Sequence, residues 1–163
     1  MTAGTSLQKS FVVDSMLGKM SKWLRILGFD ARCEPLTSRQ QIEAHQANGY
    51  LVVTRRQQWC RLAGVIGIQA NDPMEQLREL AQQLPLKREE MRLFGRCSNC
   101  NELLGPLPRS EAHGLVPDYV FETQQTFRRC RKCGRVFWQG SHPARMLKRL
   151  EQAMGWNLQN LDT

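Results

Sequence analysis

Phe11-Val12-Val13-Asp14-Ser15-Met16-Leu17-Gly18-Lys19-Met20, running on to Trp23-Leu24-Arg25-Ile26-Leu27-Gly28-Phe29-Asp30, sets how the rest of the chain is read. Phe11-Val12-Val13 is a short apolar, β-prone run closed by Asp14. Leu17, Met20, Leu24 and Leu27 then recur at spacings of three and four, which is one buried stripe of a helix. Lys19, Lys22 and Arg25 fall on its other faces. Gly28 reads as the helix stop.

Outward from this unit the alternation continues. Phe29 to Cys33 reads as a second short strand, broken by Pro35. Thr37 or Ser38 caps a helix that runs to about Asn48, with Gly49 as its stop. Tyr50-Leu51-Val52-Val53 is the clearest buried strand, followed by Thr54-Arg55-Arg56 and a helical turn through Leu62. Val65 to Ile68 is a fourth strand. Pro73 opens a helix whose stripe holds Met74, Leu77, Leu80, Ala81 and Leu84. Alternation of this kind predicts an α/β fold, a parallel sheet flanked by helices with right-handed crossovers. In such sheets function gathers at the carboxyl ends of the strands. The loops that matter are therefore Asp14, Thr54-Arg55-Arg56 and Asn71-Asp72.

Beyond a charged linker, Pro85 to Glu90, come Cys97-Ser98-Asn99-Cys100 and Cys130-Arg131-Lys132-Cys133, separated by 29 residues. Each pair can form a knuckle that aims two thiolates at one point, and two facing knuckles suit structural Zn²⁺ held by Cys97, Cys100, Cys130 and Cys133. Four thiolates leave no open position, so such a metal builds structure and does no chemistry. Gly134 follows the second pair, where a knuckle often needs positive φ. Gly105-Pro106 and Pro108 mark turns, and Val116 to Glu122 and Arg135 to Trp138 read as strands. A C-terminal helix runs from Pro143 to about Ala153. The expected division is a flexible N-terminus over 1–10, an α/β domain over 11–90, a four-cysteine zinc ribbon plus C-terminal helix over 91–154, and a mobile tail over 155–163.

The chain carries a formal charge of +8 and an isoelectric point near 9.6. That balance favours polyanions, chiefly nucleic acid, over acidic small molecules. Met1 to Ser10 has no apolar core of a signal peptide, and no apolar run approaches the ~20 residues of a membrane span. A cytoplasmic protein is expected, with Cys33 and Cys60 reduced.

The quoted opening, together with Leu51-Val52-Val53-Thr54-Arg55, Gln76-Leu77, the two cysteine pairs and Trp138-Gln139-Gly140-Ser141-His142, resembles the Mut-seven C-terminal RNase domain family over roughly residues 10 to 150. The resemblance implies a PIN-like nuclease fold with an appended zinc ribbon, and an RNase using acidic residues around Mg²⁺ or Mn²⁺. Asp14 matches the family's first acid. Where the family has an acid straight after Thr-Arg, this chain has Arg56, and where it has acids at the start of the second helix, this chain has Ser38-Arg39-Gln40-Gln41. Glu43 lies nearby but out of register, and Asp72 can supply a late acid.

Each of these residues has two readings. Asp14 and Asp72 are the candidate catalytic acids, and both are also placed to cap the helices that follow. Arg56 would repel a divalent cation and attract a phosphate, and Arg55 or Arg56 can alternatively form a salt bridge with Asp14. Arg128, Arg129, Arg131, Lys132 and Arg135 crowd the second knuckle among Phe127, Phe137 and Trp138. The aromatics read as ribbon core and the charges as RNA contacts, with Lys19, Lys22 and Arg25 as further phosphate contacts beside Asp14. Three functions follow. The first is an RNA-binding protein of nuclease ancestry with cleavage weak or lost, acting on an RNA such as tRNA or ribosomal RNA. The second is a working metal-dependent ribonuclease using Asp14 and Asp72, and the third a ribbon that docks on a ribonucleoprotein such as the ribosome.

Overall fold

In the computed structural model, which describes residues 7–159 and residue 161, the first apolar run forms β1 (Ser10–Asp14). A short 3-10 turn over Ser15–Leu17 leads into α1 (Gly18–Ile26). Then follow β2 (Asp30–Glu34), α2 (Arg39–Ala47), β3 (Leu51–Thr54), the one-turn α3 (Gln57–Cys60), β4 (Val65–Gly67) and α4 (Pro73–Gln83). All four strands are parallel, in the order β2-β1-β3-β4. The expected α/β class holds. The chain moves from β1 to β2 on one side and to β3 and β4 on the other, so the sheet reverses its winding between β1 and β3. An open parallel sheet leaves a crevice at that point, along its carboxyl edge.

Strand side chains alternate between the two faces. Phe11, Val13 and Val53 pack with Leu24 and Leu27 of α1 and Leu77 and Leu80 of α4 in the main core. Val12 and Val52 go the other way, onto Leu36 and Ile42. Alternation along β1 puts Asp14 on this second face, beside Val12. The helices start where expected: the Ser38 hydroxyl accepts from the Gln41 N–H to cap α2, and Asp72 caps α4 ahead of Pro73.

Gly28 ends α1 at φ +96°, and a Cβ there would meet the Arg92 carbonyl at 2.3 Å. No other residue tolerates both demands. The close approach arises because the chain returns along this helix end: the Arg92 N–H donates to Leu27 O at 2.9 Å and the Phe94 N–H to Ile26 O at 2.8 Å. The stretch expected as a linker is therefore packed. Leu86, Met91 and Leu93 belong to the main core, and Glu90 is buried against Lys9, with Nζ 2.6 Å from Oε2.

That ion pair has a pH signature. Burial raises the Glu90 pKa, but the hydrogen bonds from Lys9 and the Lys87 N–H outweigh it, so the carboxyl sits below its ordinary value. A depressed acid contributes stability in full above its unfolded value, about 4.3, and loses it as pH falls through the folded one. Lys9→Met is expected to cost about 1–3 kcal/mol at neutral pH, and the difference from wild type closes as pH drops below about 4. Denaturant melts of both proteins from pH 7 to 3 check this; a gap constant with pH refutes it.

The second sheet is antiparallel: β5 (Gly105–Leu107), β6 (Phe127–Arg129) and β7 (Val136–Trp138). Between β5 and β6 the chain makes α5 (Arg109–Ala112) and α6 (Asp118–Thr123), so the strand expected over Val116 to Glu122 is a helix. Ala112 at the end of α5, Val116 in the turn and Val120 in α6 are buried in one cluster, and Pro117 stands at the N-cap position of α6. α7 (Ser141–Met154) packs on α4: Leu150 enters the main core, and Arg78 Nε donates to Ala153 O at 2.9 Å. The expected tail is also held, with Leu158 buried and its N–H donating to Glu151. At the other end Gln8 donates to the carbonyls of Gly28 and Glu90. Residues 1–6, 160, 162 and 163 of the two expected flexible ends lie outside the described residues. Among those described, no helix is long and apolar enough to cross a membrane.

Candidate functional site

The carboxyl ends of β1 and β3 bring Asp14 and Thr54 together at the switch point. Asp14 is fully buried. Its Oδ2 accepts from the Thr54 hydroxyl at 2.8 Å, and its Oδ1 from the Leu36 N–H at 3.4 Å. Arg56 Nε stands 3.3 Å from Oδ2. Asp14 makes no side-chain cap of the turn that follows it. Thr54 also accepts from the Arg56 N–H at 3.1 Å, which fixes the loop that delivers the guanidinium. Two hydrogen-bond donors and a cation thus surround the carboxylate, the complement of a negative charge. The Leu36 N–H and the Arg56 guanidinium are not ligands for a divalent ion, and the cation beside Asp14 opposes a carboxylate-held Mg²⁺ or Mn²⁺ there.

Glu34 was not singled out in the sequence, yet it closes β2 in register with Asp14. Register partners in parallel strands point to the same face, so Glu34, Asp14 and Thr54 form a row across three strand ends. Glu34 is held by His45 and by Gln41, whose Nε2 donates at 3.1 Å. Its signal in the sequence was its place as the last residue of the second strand. Glu43 pairs with Arg39 on the exposed face of α2. Asp72 lies at the head of α4, where its Oδ1 accepts from the Met74 and Glu75 N–H groups.

The expected RNA contacts divide by burial. Lys19 and Lys22 are exposed and line an open cleft of about 450 Å³ between the starts of α1 and α4, with Asn71 and Gln76. Arg129, Arg131 and Lys132 are exposed at the second knuckle. Arg55 donates to Gln69 O and Asn71 Oδ1, tying the loop after β3 to the loop after β4. Arg25 is buried, 7 % exposed. Its donors go to Ala31 O at 2.8 Å, Ser98 O at 3.0 Å and Asn99 O at 3.1 Å. Burial pushes its pKa down from the ordinary arginine value. Arg25 holds protein to protein, in place of the phosphate contact expected of it.

The four cysteines converge: all four Sγ lie within 4.8 Å of one another, and Cys97 and Cys133 are 3.8 Å apart. A tetrahedron with Zn–S bonds of about 2.3 Å has an edge of about 3.8 Å, so the cluster can hold zinc. The two knuckles are built alike. Cys97 O accepts from the Asn101 N–H, and Cys130 O from the Gly134 N–H, both at 2.8 Å. Asn101 and Gly134 take the same left-handed conformation, at φ 67° and 75°. Burial pushes the Cys97 thiol up, desolvation and the neighbouring thiols push Cys100 up to about 12, and the Arg135 N–H draws Cys133 down to about 7.

The first knuckle is fastened to the sheet. Asn101 Oδ1 accepts from the Ala31 N–H at 3.0 Å, and its Nδ2 donates to Asp30 at 2.6 Å. Arg96 Nε donates to Gly28 O at 3.1 Å. β2 is an edge strand, and Asn101 and Arg25 take up the N–H and the C=O of Ala31. The ribbon therefore covers part of an edge that would otherwise stand open to pairing.

A parallel α/β domain with a carboxylate at its switch point and a four-cysteine module on its edge is the class these features define. The sequence model of the Mut7-C RNAse domain matches residues 9–150, and the chain belongs to that family. No curated protein and no solved structure matches it. The family resemblance carried by the opening motif and the ordered cysteine pairs is confirmed.

Proposed function

We propose that this protein binds RNA along the carboxyl edge of its sheet and its basic ribbon, with cleavage weak or lost. The observation that supports this is Arg56 beside buried Asp14, where the family carries an acid in place of the arginine. Two unit charges 4 Å apart interact by about 4 kcal/mol at an effective dielectric of 20. Arg56 is part-exposed, 38 %, so solvent reduces that figure, but its sign stands: it disfavours a divalent cation and favours a phosphate. Lys19 and Lys22 at the adjoining cleft, and Arg131 and Lys132 on the ribbon, supply further phosphate contacts. Zinc at the four cysteines is the structural ion. RNA, as substrate or partner, follows from the family.

The test uses zinc-loaded protein, mixed tRNA and ribosomal RNA, and Mn²⁺. Wild type is expected to retain RNA in low salt without cutting it. Arg56→Asp is expected to bind about tenfold more weakly, a loss of about 1.4 kcal/mol. It should also gain Mn²⁺-stimulated cleavage that a second change, Asp14→Asn, removes. Cleavage by wild type that Asp14→Asn abolishes would establish a working nuclease instead. No RNA retention, with co-sedimentation on ribosomes, would favour a docking ribbon.

A further inference from the structure

We infer that the outer face of the ribbon sheet is a stacking platform for an unpaired RNA base, with Phe137 taking the base and Arg128 beside it. The inference rests on the RNA-binding reading above and names the form of RNA. Its ground is the way the ribbon sorts its aromatics. Phe127 is buried, and Val136 and Trp138 pack with it, Leu107 and Val120 on the inner face. Side chains alternate along β7, so Phe137 stands on the opposite face, half-buried and outside that core. The register places Phe137 opposite Arg128, and Arg128 opposite Pro106. Directly opposed side chains on one face of an antiparallel pair have Cβ atoms about 4.5–5.5 Å apart. Phe137 and Arg128, both half-buried, thus occupy adjacent positions on the outer face of the sheet.

The occupant follows from charge. From Thr123 to Leu150 the chain carries eight Lys or Arg and no Asp or Glu. Arg131, Lys132 and Arg135 of this segment are exposed around the second knuckle. An apolar protein partner would not meet such a rim, whereas a phosphate backbone would. Aromatic rings and guanidinium planes stack on the faces of unpaired bases, while in a duplex those faces are covered by neighbouring pairs. The ligand is therefore single-stranded RNA, its phosphates on the knuckle and one base on Phe137.

The experiment titrates zinc-loaded, full-length protein into a single-stranded RNA oligomer carrying 2-aminopurine, whose fluorescence falls on stacking. Wild type is expected to bind and to quench the probe, and a duplex of the same sequence to compete poorly. Phe137→Leu should weaken binding about tenfold and abolish the quench, while Phe137→Trp keeps both. Arg128→Gln leaves the ring in place; it should lose severalfold in affinity and retain the quench. Unchanged zinc content shows that the ribbon is folded in each variant. If wild type binds no RNA, the RNA-binding reading itself fails. If wild type binds and neither Phe137→Leu nor Arg128→Gln alters affinity or quench, the platform is overturned and the RNA-binding reading stands.

Discussion

Chelating zinc from the four cysteines is expected to unfold the ribbon and leave the parallel sheet folded. The two units differ in what they can bury. Among the described residues, the sheet domain, with α7 packed on it, encloses nineteen buried apolar side chains in its main core. The ribbon core has five: Leu107, Ala112, Val116, Val120 and Phe127. Modules of this size generally need a metal or disulfides to fold. A structural zinc contributes roughly 10–16 kcal/mol of folding free energy in small metal-dependent modules. Metal analysis should find one zinc per chain. After chelation, hydrogen exchange should rise towards unfolded rates between residues 97 and 138, while amides of β1 and β3 stay protected. Ribbon amides that remain protected in metal-free protein would refute this account.

What could be read from the sequence was what depends on near neighbours. The buried stripe Leu17, Met20, Leu24 and Leu27 runs from the turn before α1 to its C-cap, Val52 and Val53 lie in one strand, and the Asp72-Pro73 cap is two adjacent residues. The cysteine pairs were legible for the same reason, since each knuckle closes within five residues. Val116, Val120 and Phe121 look like a β-prone run, but Val116 precedes the Pro117 cap and Val120 and Phe121 lie in the short α6. Arg25 reads as a surface cation because Lys19 and Lys22 share its helix and are exposed, while its carbonyl partners in the ribbon lie 73 and 74 residues away. Glu34 carries no mark in the sequence, because only the register of β1 with β2 places it beside Asp14. The pairing of Arg56 with Asp14 was one of two open readings, and geometry alone could choose, since 40 residues separate Asp14 from the Thr54 that it bonds.

Arg25→Leu is expected to destabilise the protein by about 3 kcal/mol or more and to loosen the ribbon from the sheet without releasing its zinc. The guanidinium serves carbonyls on two bodies at once. Nε holds Ala31 of the edge strand, while Nη1 holds Ser98 and Asn99, the two residues between the first pair of cysteines. Leucine fills much of the space but donates nothing, and a buried carbonyl left without a partner costs about 1–3 kcal/mol. Lysine keeps the charge, but its ammonium is a compact point donor and cannot reproduce a planar fork that spans the seam. Arg25→Lys should therefore recover only part of the loss. For a chain of this size, about 3 kcal/mol lowers Tm by roughly 6–12 °C. Asn101 makes the neighbouring contacts to Ala31 and Asp30, so Asn101→Ala combined with Arg25→Leu should cost less than the two single changes added together. Hydrogen exchange separates a seam from an ordinary core position: the amides of residues 97–101 and of Ala31 should lose protection together, with the zinc retained. A loss below 1 kcal/mol, or unfolding of the whole chain in one step with these amides no more labile than the rest, would show that the ribbon is not held on the sheet by Arg25.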